Sequence, residues 1–243
     1  MKGDKTTTDL FIWYNRTKVS KGIPSFDKVI LKNEFDLNKP KKIPEQAWTL
    51  YNALKMRFPV TEQKYKFPPE MYLVVLNNLK DVCFDYIEHN NNVKLVSEDF
   101  YNFLIKYGLN EGHEKANLTI LNTKGELLAD KKYFALRFCL YDDLLFDFNK
   151  QSKVRVVGEF SGTDYVYPNI CLANEETVSS VFVIKEPSYR NALIFKKDIL
   201  PAILNNFYAP EIYHLKDFPF VFENRSNWDT LPFDNDYKVK KVQ

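Results

Sequence analysis

The residues of this chain best placed to do chemistry fall in one stretch. Tyr141-Asp142-Asp143-Leu144-Leu145-Phe146-Asp147-Phe148 carries three carboxylates within eight residues. On a helix, Asp143 and Asp147 would share a face at i, i+4, with Leu144, Leu145 and Phe148 on another. Converging carboxylates hold Mg²⁺ when further ligands arrive from elsewhere. The same residues also make a solvated acidic edge, or a surface for a basic protein. The solvated edge is the plainest reading, and a basic partner ranks ahead of a metal. Asp234-Asn235-Asp236 has the D-x-D form but lies in a polar tail.

Other chemistries lack their parts. His89, His113 and His214 are far apart, and no His-Glu-x-x-His is present, so a zinc site is not indicated. Gly158-Glu159-Phe160-Ser161-Gly162 misses the nucleophile-elbow spacing and reads as a turn between strands. Phe 20, Tyr 15 and Trp 3 make 38 aromatic residues against 7 glycines. Neither G-x-G-x-x-G nor G-x-x-x-x-G-K-[ST] occurs, which disfavours glycine-cradled nucleotide chemistry. No catalytic residue, metal or cofactor is assigned. Cys83, Cys139 and Cys171 are widely spaced among apolar neighbours and read as buried, reduced thiols.

The elements that would position these residues are strands with a few helices. Leu10-Phe11-Ile12-Trp13-Tyr14 reads as a first strand, followed by the Gly22-Ile23-Pro24 turn and a second extended segment, Lys28 to Phe35. Pro44 suits the start of a helix, with Ala47, Leu50, Tyr51 and Leu54 on one face. Met71 to Leu76, Val82 to Ile87, Leu118 to Leu121, Tyr133 to Leu140, Val154 to Val157, Tyr165 to Val166 and Val181 to Ile184 are strand candidates. The clearest helix follows Ser97 as N-cap, with Glu98 and Asp99 at its positive end, Phe100, Phe103, Leu104 and Tyr107 on one face, and Gly108 as stop. Leu193-Ile194-Phe195, then Asp198 to Phe207, echoes that strand–helix unit. The class is α+β, mostly antiparallel sheet with a few packed helices. We expect a tail over 1–9, one domain over 10–220 and an irregular extension over 221–243.

Net charge is +2, but residues 1–80 hold 15 Lys and Arg against 8 Asp and Glu, and residues 81–243 hold 19 against 24. The basic third includes Lys39, Lys41, Lys42, Lys55, Arg57, Lys64 and Lys66 among Tyr51, Phe58, Tyr65 and Phe67, materials that nucleic-acid binding uses. Packing accounts for those aromatics first, so nucleic acid is disfavoured. No apolar run nears the roughly 18 residues of a membrane span and Met1 to Asp9 is polar, so we expect a cytoplasmic protein without membrane partners.

Tyr133-Phe134-Ala135-Leu136-Arg137-Phe138 followed by Asp142-Asp143-Leu144-Leu145-Phe146-Asp147 resembles the immunity protein 43 family of bacterial polymorphic toxin systems and its relatives. Phe11 to Tyr14 with Gly22-Ile23-Pro24, Phe84-Asp85-Tyr86, Leu95 to Phe100, Leu118 to Lys124 before Gly125, and Leu193 to Phe195 with Asp198 to Leu204 fit the same layout over roughly residues 10 to 220. Ala209-Pro210-Glu211 stands where related proteins often carry a glycine after the last helix. The resemblance implies a non-enzymatic antidote that binds the C-terminal domain of a cognate toxin and blocks its active site or substrate channel, with no small-molecule substrate. Two other readings stay open: an enzyme whose site assembles from dispersed Asp, Glu and His, and a nucleic-acid-binding protein working through the basic third. As partner contacts we take the acidic stretch (Tyr141, Asp142, Asp143, Asp147), the irregular-segment tyrosines Tyr165 and Tyr167, and Trp228, Asp229, Phe233, Asp234 and Asp236 of the tail. Aromatics beyond the needs of the core are where a partner would bind.

Overall fold

The computed structural model describes residues 9–15, 20–89, 93–148, 152–157, 163–190, 192–225 and 239. A six-stranded sheet is built from β2 (Val29–Lys32), β3 (Glu70–Val75), β4 (Tyr86–His89), β5 (Val93–Ser97), β6 (His113–Asn122) and β7 (Tyr133–Phe138), in the order β2-β3-β6-β7-β5-β4. A four-stranded sheet has the order β12-β13-β1-β14, from β1 (Leu10–Trp13), β12 (Val181–Phe182), β13 (Leu193–Lys196) and β14 (Ile212–His214). Two short ribbons pair β8 (Phe146–Asp147) with β11 (Cys171–Leu172), and β9 (Val154–Val157) with β10 (Thr163–Val166). Every pair is antiparallel except β3 and β6. Among the described residues there are three α-helices: α1 (Glu98–Lys106), α2 (Leu200–Asn206) and α3 (Phe218–Glu223). The fold is α+β, as expected.

The four-stranded sheet packs into a core on each face and the six-stranded sheet does so over most of its area, and that is where the aromatics go. In β1, Phe11 and Trp13 face a core shared with the six-stranded sheet, while Leu10 and Ile12 face the opposite core with α3 and the ribbons. A two-residue period with apolar side chains on either face produces the unbroken apolar run seen in the sequence. The middle core takes Phe100 and Leu104 of α1 and Ile203 of α2. The two helices meet through Phe207, whose ring lies 4.8 Å from that of Phe100 and 5.1 Å from that of Phe103. The echoed strand–helix units are thus packed against each other. The third core covers the far face of the six-stranded sheet with Trp48, Phe67 and Phe84.

α1 forms as its sequence dictates. Ser97 Oγ accepts the Phe100 N–H at 3.2 Å, and Gly108 at φ +88 takes the left-handed turn that ends the helix. Ala209 occupies the same region at φ 44, the conformation that favours glycine.

The helix expected after Pro44 does not form. The chain makes only a 3-10 turn over Ala47–Leu50, with Trp48 and Tyr51 buried and Leu50 and Leu54 exposed. Competing hydrogen bonds explain this. Gln46 Oε1 accepts from Asn33 N–H at the edge of β2, and Asn52 Oδ1 accepts the Leu54 N–H, a local turn that displaces helix. The Trp48 carbonyl is taken by a guanidinium from β7. That group is Arg137, which is 2% exposed. It donates to Trp48 O and Tyr65 O, both at 2.6 Å, and to Glu114 through Nε at 2.9 Å and through Nη2. The Tyr51 and Phe67 rings flank it at 4.4 and 5.1 Å. One buried cation therefore pins the long irregular segment 33–69 to the sheet. The strand expected over Val82 to Ile87 begins later, at Tyr86, because Asp85 turns inward to accept from Ser97 Oγ and Tyr208 N–H, both at 2.6 Å.

Candidate partner-binding surface

The acidic stretch is neither helical nor a free edge. After β7, Cys139 and Leu140 both donate their N–H groups to Gly112 O, at 2.7 and 2.8 Å. A side chain at position 112 would collide with Leu140, so glycine is needed there for close approach rather than for a turn. Asp142 then binds two other segments. Its N–H donates to Val183 O, its Oδ2 accepts the Val183 N–H at 2.8 Å, and its Oδ1 accepts Asn110 Nδ2 at 3.0 Å. Asp143 accepts the Lys185 N–H at 3.0 Å. Residues 143–145 form a 3-10 turn before β8. Leu145 O accepts from Ala173 N–H, and Tyr107 O from Ser180 N–H, both at 2.9 Å. Three loops, 107–112, 139–145 and 173–185, are thereby fastened together.

Burial raises the Asp142 carboxyl above its usual range, opposed by the bonds from Val183 and Asn110, and it raises Asp143 as well. Burial also pushes the Tyr141 phenol up to about 12. These three groups hold the loops and do not reach outward. What does reach outward is apolar: Leu144 is 95% exposed and Val178 98%, with Leu140 half exposed. The exposed carboxylates Glu111, Asp147, Glu175 and Glu176 lie on the same loops or next to them, and Lys185 is the cation beside Asp143. Exposed aliphatic side chains on hydrogen-bonded loops can supply contact area, and carboxylates on the same loops can steer a basic partner. Among the described residues no three His, Cys, Asp or Glu side chains gather in a group able to hold a metal ion.

The remaining candidates separate. Tyr167 is core: its ring packs 5.2 Å from Phe148, and its N–H donates to Tyr189 Oη at 2.9 Å, so it is unavailable to a partner. Its sequence neighbours look irregular, but they lie between ribbons that close over the four-stranded sheet. Tyr165 is half-buried, with the Lys153 ammonium 4.3 Å from its ring centroid. Trp228, Asp229, Phe233, Asp234 and Asp236 lie outside the described residues, as does the Gly158 to Gly162 segment. Leu144 and Val178 were not singled out in the sequence, and neither was the Glu175-Glu176 pair. Leu144, the leucine between the acids, was the available clue.

The model of the immunity protein 43 family matches residues 15–230 of the chain. The chain belongs to the immunity protein 43 family. No curated protein matches it. Membership gives the chain the role of an immunity protein. Among the described residues, no helix of this family member is long and apolar enough to cross a membrane.

Proposed function

We propose that this immunity protein binds the C-terminal domain of a cognate polymorphic toxin in the cytoplasm and blocks its active site or substrate access, without catalysis of its own. The observation that carries the reading is the exposure of Leu144 and Val178, each almost wholly in water on loops that Asp142 and its neighbours fasten together. Backbone already held in place loses little entropy on binding, and exposed aliphatic side chains on it offer apolar area to a partner. The acids around them favour a toxin with a basic face, as a nuclease has, and would speed its capture at low salt. Asp142 and Asp143 serve this surface by positioning it, and Glu111, Asp147, Glu175 and Glu176 meet the partner's charge. The binding unit runs from β1 through α3, whose Val221 and Phe222 belong to the core.

Co-expression with the C-terminal domain of a cognate polymorphic toxin tests the reading. The expected result is cell survival and a stable complex that co-purifies. Survival without a complex, or death with this chain fully expressed, contradicts it.

A further inference from the structure

Along β6, His113, Lys115, Asn117 and Thr119 point to one face at every second residue, while Ala116, Leu118 and Ile120 enter the core behind the sheet. α1 covers the His113 end, its Tyr101 ring 6.0 Å from His113 and 5.3 Å from Phe134. Beyond α1 the sheet face opens into a groove of about 560 Å³, walled by Glu98, Leu127 and the pair Lys131 and Lys132. We propose that this groove receives an extended, carboxylate-bearing segment of the protein partner.

Charge is the first argument. Three lysines, Lys115, Lys131 and Lys132, line the groove against one glutamate, Glu98. The Lys115 ammonium lies 4.5 Å from the centroids of both the Tyr101 and Phe134 rings, a placement that leaves its outer face to an anion. Lys131 sits 3.7 Å from Asp85, a carboxylate already accepting from Ser97 and Tyr208. Lys132 reaches Glu98 at 3.6 Å, the lysine largely and the glutamate partly in water. A pair so long and exposed holds Lys132 weakly, so a better-placed carboxylate displaces Glu98, while the half-exposed Lys131 adds its charge to the groove beside the buried Asp85. The second argument is the wall at Leu127, an aliphatic side chain 70% exposed, which fits an aliphatic residue alternating with the acids. The third separates peptide from nucleic acid. Single strands are gripped by stacking on exposed rings, and the Tyr133 and Phe134 rings of this groove are buried.

The inference rests on the proposed function only in assigning the segment to the toxin, so its test omits the toxin. The ¹⁵N-labelled protein is titrated with a ten-residue peptide of alternating Glu and Leu, and separately with a ten-nucleotide oligothymidylate. The peptide is expected to give saturable amide shifts at Lys115, Asn117, Thr119, Lys131 and Lys132. Its affinity should fall about tenfold, or 1.4 kcal/mol, in the double variant Lys131→Glu/Lys132→Glu. The milder Lys131→Gln/Lys132→Gln should lie between, which guards against a local disturbance beside Asp85. Absence of saturable shifts at these amides, equal affinity in both variants, or tighter binding of the oligonucleotide overturns the proposal. Toxin capture by a chain that fails the peptide titration leaves the proposed function standing and removes only the groove.

Discussion

Arg137 and Asp142 lie near each other in sequence and both take charge out of water, yet they serve different regions. Arg137 spends its donors inside the molecule, on Glu114 and two backbone carbonyls, with an aromatic ring close on each side. Everything around it is structure. Asp142 spends both oxygens on Val183 and Asn110, but the backbone it fixes presents Leu144 to solvent. The comparison teaches where function can be sought. A fully partnered buried charge marks what the fold needs, and an unburied aliphatic side chain on backbone held by such a charge marks what the fold does not need.

The largest effect should come from breaking the first region. Arg137→Met removes the guanidinium that Glu114 and the Trp48 and Tyr65 carbonyls accept from, leaving the Glu114 charge unpaired, and should cost about 3–5 kcal/mol in urea unfolding. A cost under about 1 kcal/mol would mean that segment 33–69 is not held by this group. Asp142→Ala strands the Val183 N–H and the Asn110 amide at a less buried site and should cost about 1–3 kcal/mol. Hydrogen exchange should show the loosening confined to loops 107–112, 139–145 and 173–185.

Lys94 sharpens the comparison from within the interior. It is buried like Arg137, but among the described residues its ammonium donates to Arg190 O at 2.8 Å and to no other acceptor, with the Phe138 ring 5.7 Å away. Burial lowers its pKa from 10.5 to about 8, against the opposing pull of Glu88. Below pH 8 the folded protein carries the full cost of the buried charge. Between about 8 and 10.5 the unfolded chain binds more protons than the folded one, so stability contributed at this site rises with pH. Subtracting the unfolding free energies of Lys94→Met from those of the wild type should reveal that rise and cancel the titration of tyrosines and Cys139. A flat difference across the window would show that the ammonium is better solvated than its surroundings indicate.

Much of the fold was legible because local signals agreed with tertiary packing. Ser97, the two acids after it and Gly108 bounded α1, and the apolar run Leu10 to Tyr14 announced a strand buried on both sides. The segment after Pro44 was misread because its periodicity was real but outweighed by a guanidinium 89 residues away in sequence, which captures the Trp48 carbonyl. No local pattern carries that information. The candidate surface was half legible. The stretch from Tyr141 to Asp147 did mark the place, but carboxylates expected to face a partner were consumed by backbone N–H groups of the irregular segment after β12, 41 and 42 residues on. Val178 could be recognised only from its exposure, which sequence does not encode. Tyr167 looked surplus because its neighbours lacked periodicity, yet ribbons of two to four residues are enough to close a core over it.

The smallest effect on stability should accompany the largest on binding. Leu144→Ala/Val178→Ala removes side chains that already lie in water and should change unfolding free energy by under about 0.5 kcal/mol. Calorimetric titration of this double variant with the cognate toxin domain tests the central claim most directly. The account predicts an affinity at least about tenfold below that of the wild type, a loss of about 1.4 kcal/mol or more, at unchanged stability. An affinity equal to the wild type's would contradict it.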